Sequence, residues 1–446
     1  MTKYFFKRTL SFILIIFVVA AELLCGCSKV EADFPEFSES NMSISAVSAD
    51  ITDVEASVSV DAVKEAVPHI TVALPYSAKT LSRLAKLFYL KNNNMLGNAI
   101  NGSNIALDYL DAVNVPFIID SIKISPTGAN VSTVSDWDNS GGIPDVFLTN
   151  DLSGVKEAGF AAPLNDCLYD NSLISNCFSS EALYECGFDS LIYGIPYGFS
   201  FEIMFANLDF IPAKYKENYA IESMSFVSVL SDVDKLNEMM MDIRNDYPDI
   251  ENEGIVPLRS AYELLAQTNG ISEPELQSIK EWYDTNLTSD YDYNSSTDSV
   301  YSRHAAMWIA DSSEIDMWCD YYPDKICFFR LPNIGNEYKP LITLYPLCVS
   351  PQSENIEFAS EFAAFVALDE DAQRLILRLE NNMGIFPMID SSNVWNSLTS
   401  DVVYGNIAGS IEEQLNSVVY SRNVIDNNEY KDILSAARDV VNSEEE

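Results

Sequence analysis

Apolar and polar positions along the chain follow two alternating periods. Ile70 to Leu74 is a short β-rich run that ends at Pro75. From Thr80, read as an N-cap, Leu81, Leu84, Ala85, Leu87 and Phe88 recur at helical spacing. Phe117 to Ile122 and Asp145 to Leu148 are further strand-like runs, the second entered from Gly141-Gly142-Ile143-Pro144. From about Ile221 to Asn286 the pattern turns helical, as in Val227 to Met241 and Ile279 to Tyr283, and Asp284 to Ser299 reads as a polar loop. Ala305 to Ile309 and Leu341 to Val349 are compact apolar strands; Ala359 to Ala367 and Ala372 to Leu379 are amphipathic helices. Strands alternating with helices predict an α/β body with a largely parallel sheet. Ligands in such sheets bind beyond the carboxyl ends of the strands. That makes Pro75-Tyr76-Ser77 and Thr149-Asn150-Asp151 candidate ligand loops.

The N-terminus breaks this pattern. Lys3, Lys7 and Arg8 precede an apolar run from Leu10 to Ala21, which is too short for a membrane span of about 20 residues and suits a signal sequence. Leu24-Cys25-Gly26-Cys27 resembles a bacterial lipobox, with Cys27 the lipidated residue. Glu22 and Cys25 depart from the usual pattern, and an uncleaved anchor helix is the alternative. Residues 1–26 are thus expected to be a lipoprotein signal peptide, and 27–68, rich in Ser, Glu, Asp and Ala, a lipidated cysteine and disordered tether. Either way the body is expected outside the cytoplasm; the lipobox reading places it at the cell surface, lipid-anchored to the outer face of the cytoplasmic membrane.

Composition narrows the chemistry. Of 446 residues, 67 are Asp or Glu and 26 Lys or Arg, for a net charge of −41, which repels phosphate backbones and argues against nucleic acid. Two histidines leave little for a His-based triad, and no C-x-x-C pair points to zinc. Six cysteines follow Cys27, and Cys167, Cys177 and Cys186 are close enough in sequence for one local disulfide, or are buried thiols. No phosphate-binding or dinucleotide glycine motif occurs. Neither a metal nor a cofactor is expected. The 67 acids leave a two-carboxylate glycosidase open.

Several segments, in order, resemble family 1 of the extracellular solute-binding proteins. They are Pro144-Asp145-Val146 with Asn150-Asp151; Gly159 to Asp166, with Pro163-Leu164 at its centre; Tyr193-Gly194-Ile195-Pro196-Tyr197 through Asn207; His304-Ala305-Ala306-Met307; Leu331-Pro332 with Val349 to Ser353; and Ala359 to Phe362 with Gly384 to Pro387. Ala310 to Ser313 and Leu344-Tyr345 depart from the family pattern, so the pocket is expected to differ from the commonest sugar sites. The resemblance implies a two-lobed, type II periplasmic-binding-protein-like α/β fold with a hinge and an interlobe cleft. It places 69–203 plus 347–390 in an N-terminal lobe and 204–346 plus 391–446 in a C-terminal one. The chain would cross near Ile203 to Phe205, Tyr345 to Val349 and Met388 to Ser391. It further implies a monomeric receptor, not an enzyme, that passes a small molecule, a mono- or oligosaccharide, to the permease subunits of an ABC importer.

Sugars present hydroxyl edges and C–H faces, which planar polar groups and aromatic rings suit. The candidate ligand residues are Tyr76, Ser77, Asn150, Asp151, Tyr197, Phe199, Ser200, Asp311, Ser312, Tyr345 and Phe386. Each has a plainer reading. Asn150 and Asp151 serve as a helix cap, Tyr197 and Tyr345 as hinge packing, Tyr76 as a loop aromatic, Phe199 and Phe386 as core. Trp308 reads as core; Trp318, Trp395 and Tyr404 are weaker candidates. A lipid-anchored polysaccharide-degrading enzyme and a sensory receptor remain as alternatives.

Overall fold

The computed structural model describes residues 67–257 with breaks at 99, 102–103, 169–170, 178–179, 228–231 and 249–251, then 298, 300–331, 341–380, 384–399 and scattered positions from 404 to 435. Cys27, the leader, the tether, Ile279 to Tyr283 and nearly all of the polar stretch after them lie outside these residues.

Strand β1 (His69–Leu74) leads through Tyr76 and Ser77 into helix α1 (Ala78–Asn92). The cap is Ser77, not Thr80: the Thr80 N–H donates to Ser77 Oγ at 3.2 Å, so the helix begins a turn earlier than the apolar spacing indicates. β2 (Ile118–Lys123), α2 (Val131–Ser140), β3 (Val146–Leu148) and α3 (Leu152–Glu157) continue the alternation. β1 runs parallel to both β2 and β3.

The next strand, β4 (Ile195–Asn207), is 13 residues long and buried throughout. After it come β5 (Phe226–Val227), α4 (Val233–Asp246), β6 (Asn252–Pro257), β7 (Ala305–Asp311), α5 (Ile315–Tyr321), β8 (Ile326–Phe329) and β9 (Leu341–Val349). The chain closes with α6 (Ile356–Leu368), α7 (Glu370–Leu379), β10 (Phe386–Pro387), α8 (Ser392–Thr399) and β11 (Val419–Tyr420). The helix read from Val227 starts six residues later. Phe226 and Val227 pair instead with Phe328 and Phe329, and Asp232 caps α4.

Among the described residues these strands form one 11-stranded sheet whose main path runs β6-β7-β4-β9-β3-β1-β2. The path holds two sheets that share β4. Residues up to Phe201 pair antiparallel with β9 and β10, which lead to β3, β1 and β2. From Glu202 onward, β4 pairs antiparallel with β7 and β8, which lead to β6 and β5. The change of partner falls between Phe201 and Glu202. β9 already lies in the first sheet at Ile342, which faces Phe201.

Three apolar clusters match this division. One fills the space between the first sheet and α1, α6 and α7, where the Phe88 ring meets those of Phe117, Phe358, Phe362 and Phe365. A second packs Leu236, Met239, Met240 and Ile243 of α4 on Met204, Ala206, Met307 and Ile309. The third covers the opposite face and is continuous across both sheets, from Phe147 through Phe199 and Phe201 to Phe205, Trp308 and Phe328. Fully burying such a side chain contributes about 1.5–3 kcal/mol, so this shared layer ties the two sheets together through the middle of β4. Trp308 is core, with Phe205 stacked on it at 5.6 Å. Cys186, Cys327 and Cys348 are buried thiols whose pKa burial pushes up.

Candidate functional site

The strand ends of both sheets point at the middle of β4. In the first sheet, Leu148 at the end of β3 is level with Leu347 and through it with Ile195, so β4 runs on beyond the carboxyl ends of β1 and β3. In the second, β7 runs back toward the junction and its last residue, Asp311, faces Glu202. Six residues of β4, 196–201, lie between these levels, roughly 20 Å of extended chain.

A register shift sits in that stretch. Tyr345 faces Gly198, yet the next residue, Pro346, faces Pro196, which leaves Tyr197 as the extra residue of a bulge. Two opposed prolines have no N–H groups with which to continue the ladder, and a bulge re-aims the side chain it carries. Tyr197 consequently packs in the cluster that holds Tyr76 and Tyr345, whereas Phe199 and Phe201 pack on the opposite face.

Five of the sequence-derived candidates meet on the Tyr197 face. Tyr76, at the turn after β1, donates its hydroxyl hydrogen to the Tyr197 hydroxyl oxygen, and the rings meet edge to face with centroids 6.4 Å apart. Ser200 Oγ donates to Asp311 Oδ2 at 2.8 Å and lies 3.0 Å from the Tyr345 hydroxyl. With Ser200's only hydrogen committed to the carboxylate, Tyr345 donates to Ser200. Asp311 Oδ1 accepts from the Ser313 N–H at 2.9 Å. One face thus joins a turn of the first sheet, the crossing strand, β9 and the end of β7. All five residues are buried, with Tyr197 the most exposed at 6%.

Burial sets the electrostatics of the phenols. It pushes the Tyr197 hydroxyl up to about 12, against the partial relief of its bond from Tyr76. Tyr76 is also raised, chiefly by burial and then by Tyr197 and the carboxylate of Glu380. Both therefore stay neutral donors at physiological pH. Because Tyr76 uses its hydrogen on Tyr197, the Tyr197 hydrogen is the one directed onward.

The other candidates lie elsewhere. Ser77 caps α1 and donates from both its N–H and Oγ to Glu380 Oε1, each at 3.1 Å. Asp151 is the cap of α3, accepting from the Gly154 N–H at 3.0 Å, and Asn150 anchors its loop through its backbone N–H to Ala129 O at 3.2 Å. Ser312 Oγ accepts from the Phe201 N–H at 3.2 Å and donates to Gly384 O at 3.1 Å, a brace across the junction. Phe199 and Phe386 are fully buried rings 5.8 Å apart that pack on the face turned away from Tyr345, in line with their plainer reading as core. Trp395 stacks on Phe386, and Tyr404 bonds Asp316 Oδ1 at 2.8 Å.

No protein-family model matches the chain, and no curated protein matches its sequence. Solved structures do match its shape. The cyclic α-maltosyl-1,6-maltose binding protein of Arthrobacter globiformis is similar at a TM-score of 0.56 and 12% identity, over 84% of this chain and 98% of that one. An ABC substrate-binding protein of Listeria monocytogenes in complex with cycloalternan gives 0.55 and 14%, over 84% and 98%. The sugar-binding protein MalE of Xanthomonas citri gives 0.54 and 13%, over 83% and 92%. The chain has the two-lobed periplasmic-binding-protein fold.

β4 is the strand that joins the two sheets, changing partners between Phe201 and Glu202. Sequence reasoning misses three residues there. Glu202 is buried and directly opposite Asp311, but a lone acid in an apolar run carries no ligand signal. Glu380 ends a helix and gives no hint of its 303-residue reach back to Ser77. Gly384 reads in the sequence only as part of a turn. Its φ is +73°, and a Cβ there would collide with the backbone of Ser312 and Ser313, so no side chain fits.

Proposed function

We propose that this chain is an extracytoplasmic solute-binding protein that captures a carbohydrate between its lobes and delivers it to the permease subunits of an ABC importer. One observation carries the reading. In a periplasmic-binding-protein fold, the crossing strand gathers three phenols, a serine and a carboxylate on one face, at the carboxyl ends of strands from both lobes. Phenol rings offer apolar surface to sugar C–H groups. Asp311 and the hydroxyl groups match sugar hydroxyls. The structural neighbours support the ligand class, since their own ligands are saccharides by name. No helix among the described residues is long and apolar enough to cross a membrane. The lipobox-like Cys27 supplies the proposed attachment to the outer face of the cytoplasmic membrane. The lobes, bounded near residues 201 and 342, are proposed to close over the ligand as rigid bodies of a monomer, without turnover.

A thermal-shift screen of linear and cyclic malto-oligosaccharides and mannobiose, with polyols, polyamines and peptides alongside, tests this. A saccharide at 100 times its Kd adds about 2.7 kcal/mol, or about 3 °C for a chain of this size. A shift confined to polyamines or peptides overturns the sugar assignment. Shortened oligosaccharides after incubation would show a hydrolase instead.

A further inference from the structure

We propose that Glu380 is a positioning residue for the ligand face, holding Tyr76 in place from a distant part of the chain without itself touching ligand. The inference rests on the carbohydrate reading of that face. Glu380 lies at the C-terminal end of α7, where it accepts two hydrogen bonds from Ser77, one from the N–H and one from Oγ, both on Oε1 at 3.1 Å. Ser77 is also the cap of α1 through the Thr80 N–H. A single carboxylate oxygen thus fixes the turn whose preceding residue is Tyr76, and Tyr76 in turn orients the Tyr197 hydroxyl. The Ser77 N–H is one that the cap role leaves unused, so the contact with Glu380 adds a constraint that helix formation does not require.

The geometry separates positioning from charge. Gln at 380 keeps an acceptor oxygen in the same place and removes the charge; Ala removes both. Hydrogen exchange of the peptide covering Tyr76 and Ser77 is measured together with calorimetric affinity for maltotetraose and cyclic maltosyl-maltose. Glu380→Ala is expected to speed exchange at the Ser77 amide and to weaken the tighter sugar about tenfold, the size expected when a ligand group loses its pre-organisation. Glu380→Gln is expected to restore both to within about threefold. If Gln fails as badly as Ala, charge is at work and the positioning role is overturned; if Ala changes neither readout, it is overturned as well. Should neither sugar bind the wild-type chain, the carbohydrate reading falls for these probes, while the exchange arm alone still decides whether Glu380 holds the turn.

Discussion

The buried Tyr76–Tyr197 contact carries a pH signature. Tyr197 holds its proton in the folded chain up to about 12, whereas an unfolded tyrosine releases it near its ordinary value of 10. Between those values the folded state binds more protons than the unfolded one, so stability is complete below pH 10 and falls as pH rises toward 12. Urea midpoints measured across that window should drop less steeply in Tyr197→Phe than in wild type; an unchanged slope would refute the buried-phenol account. Ser200 acts differently. Removing its hydroxyl takes one hydrogen bond from Asp311 Oδ2 and one from the Tyr345 hydroxyl, and a lost hydrogen bond to a charged group costs about 1.5–3 kcal/mol. Ser200→Ala is therefore expected to lower the denaturant midpoint without changing its slope, and a midpoint within the measurement error of wild type would contradict it.

Elements show what the sequence could and could not convey. β9 and the apolar core of β7 are continuous apolar runs, and their spans are readable because parallel or doubly covered strands bury both faces. β4 is equally buried, but Gly198, Ser200, Glu202 and Asn207 interrupt its apolar pattern; Ser200 bonds Asp311 on β7 and Glu202 stands opposite it, whereas Asn207 accepts locally from the Asp209 N–H. Tyr197's orientation is illegible for a sharper reason. The bulge that turns it depends on Pro346 standing opposite Pro196, a pairing across 150 residues of chain. Asn150 and Asp151 do follow a strand end, as their sequence context indicates, yet the local pull of Asp151 on the Gly154 N–H makes it a cap. The same scale predicts the behaviour of the Ser312 brace. Gly384→Ala forces a Cβ against Ser312 O and Ser313 Cα, both backbone atoms, at a φ of +73°. Gly142→Ala meets open space at a φ of +137°. Thermal unfolding should show the Gly384 variant losing clearly more stability than the Gly142 variant; equal losses would mean that the close approach at Ser312 is not a real constraint.

The whole molecule combines a shared apolar layer with a polar face at one place, the middle of β4. The cluster from Phe147 to Phe328 packs continuously on one face of β4, while the opposite face holds hydroxyl groups and a carboxylate drawn from strands of both sheets. A net charge of −41 keeps so apolar a chain dispersed and disfavours anionic partners. The five residues of the face are buried as the chain stands, so on the proposed reading a saccharide reaches them only when the lobes part. The most direct measurement is a calorimetric titration, into wild type, Tyr197→Phe and Asp311→Asn, of whichever saccharide raises the melting temperature most. The account predicts one site per chain with a negative heat-capacity change from buried apolar surface, and affinity at least about tenfold weaker in both variants, the size of one lost charged or buried hydrogen bond. Saccharide binding of unchanged affinity in both variants would place the ligand elsewhere and contradict the face described here.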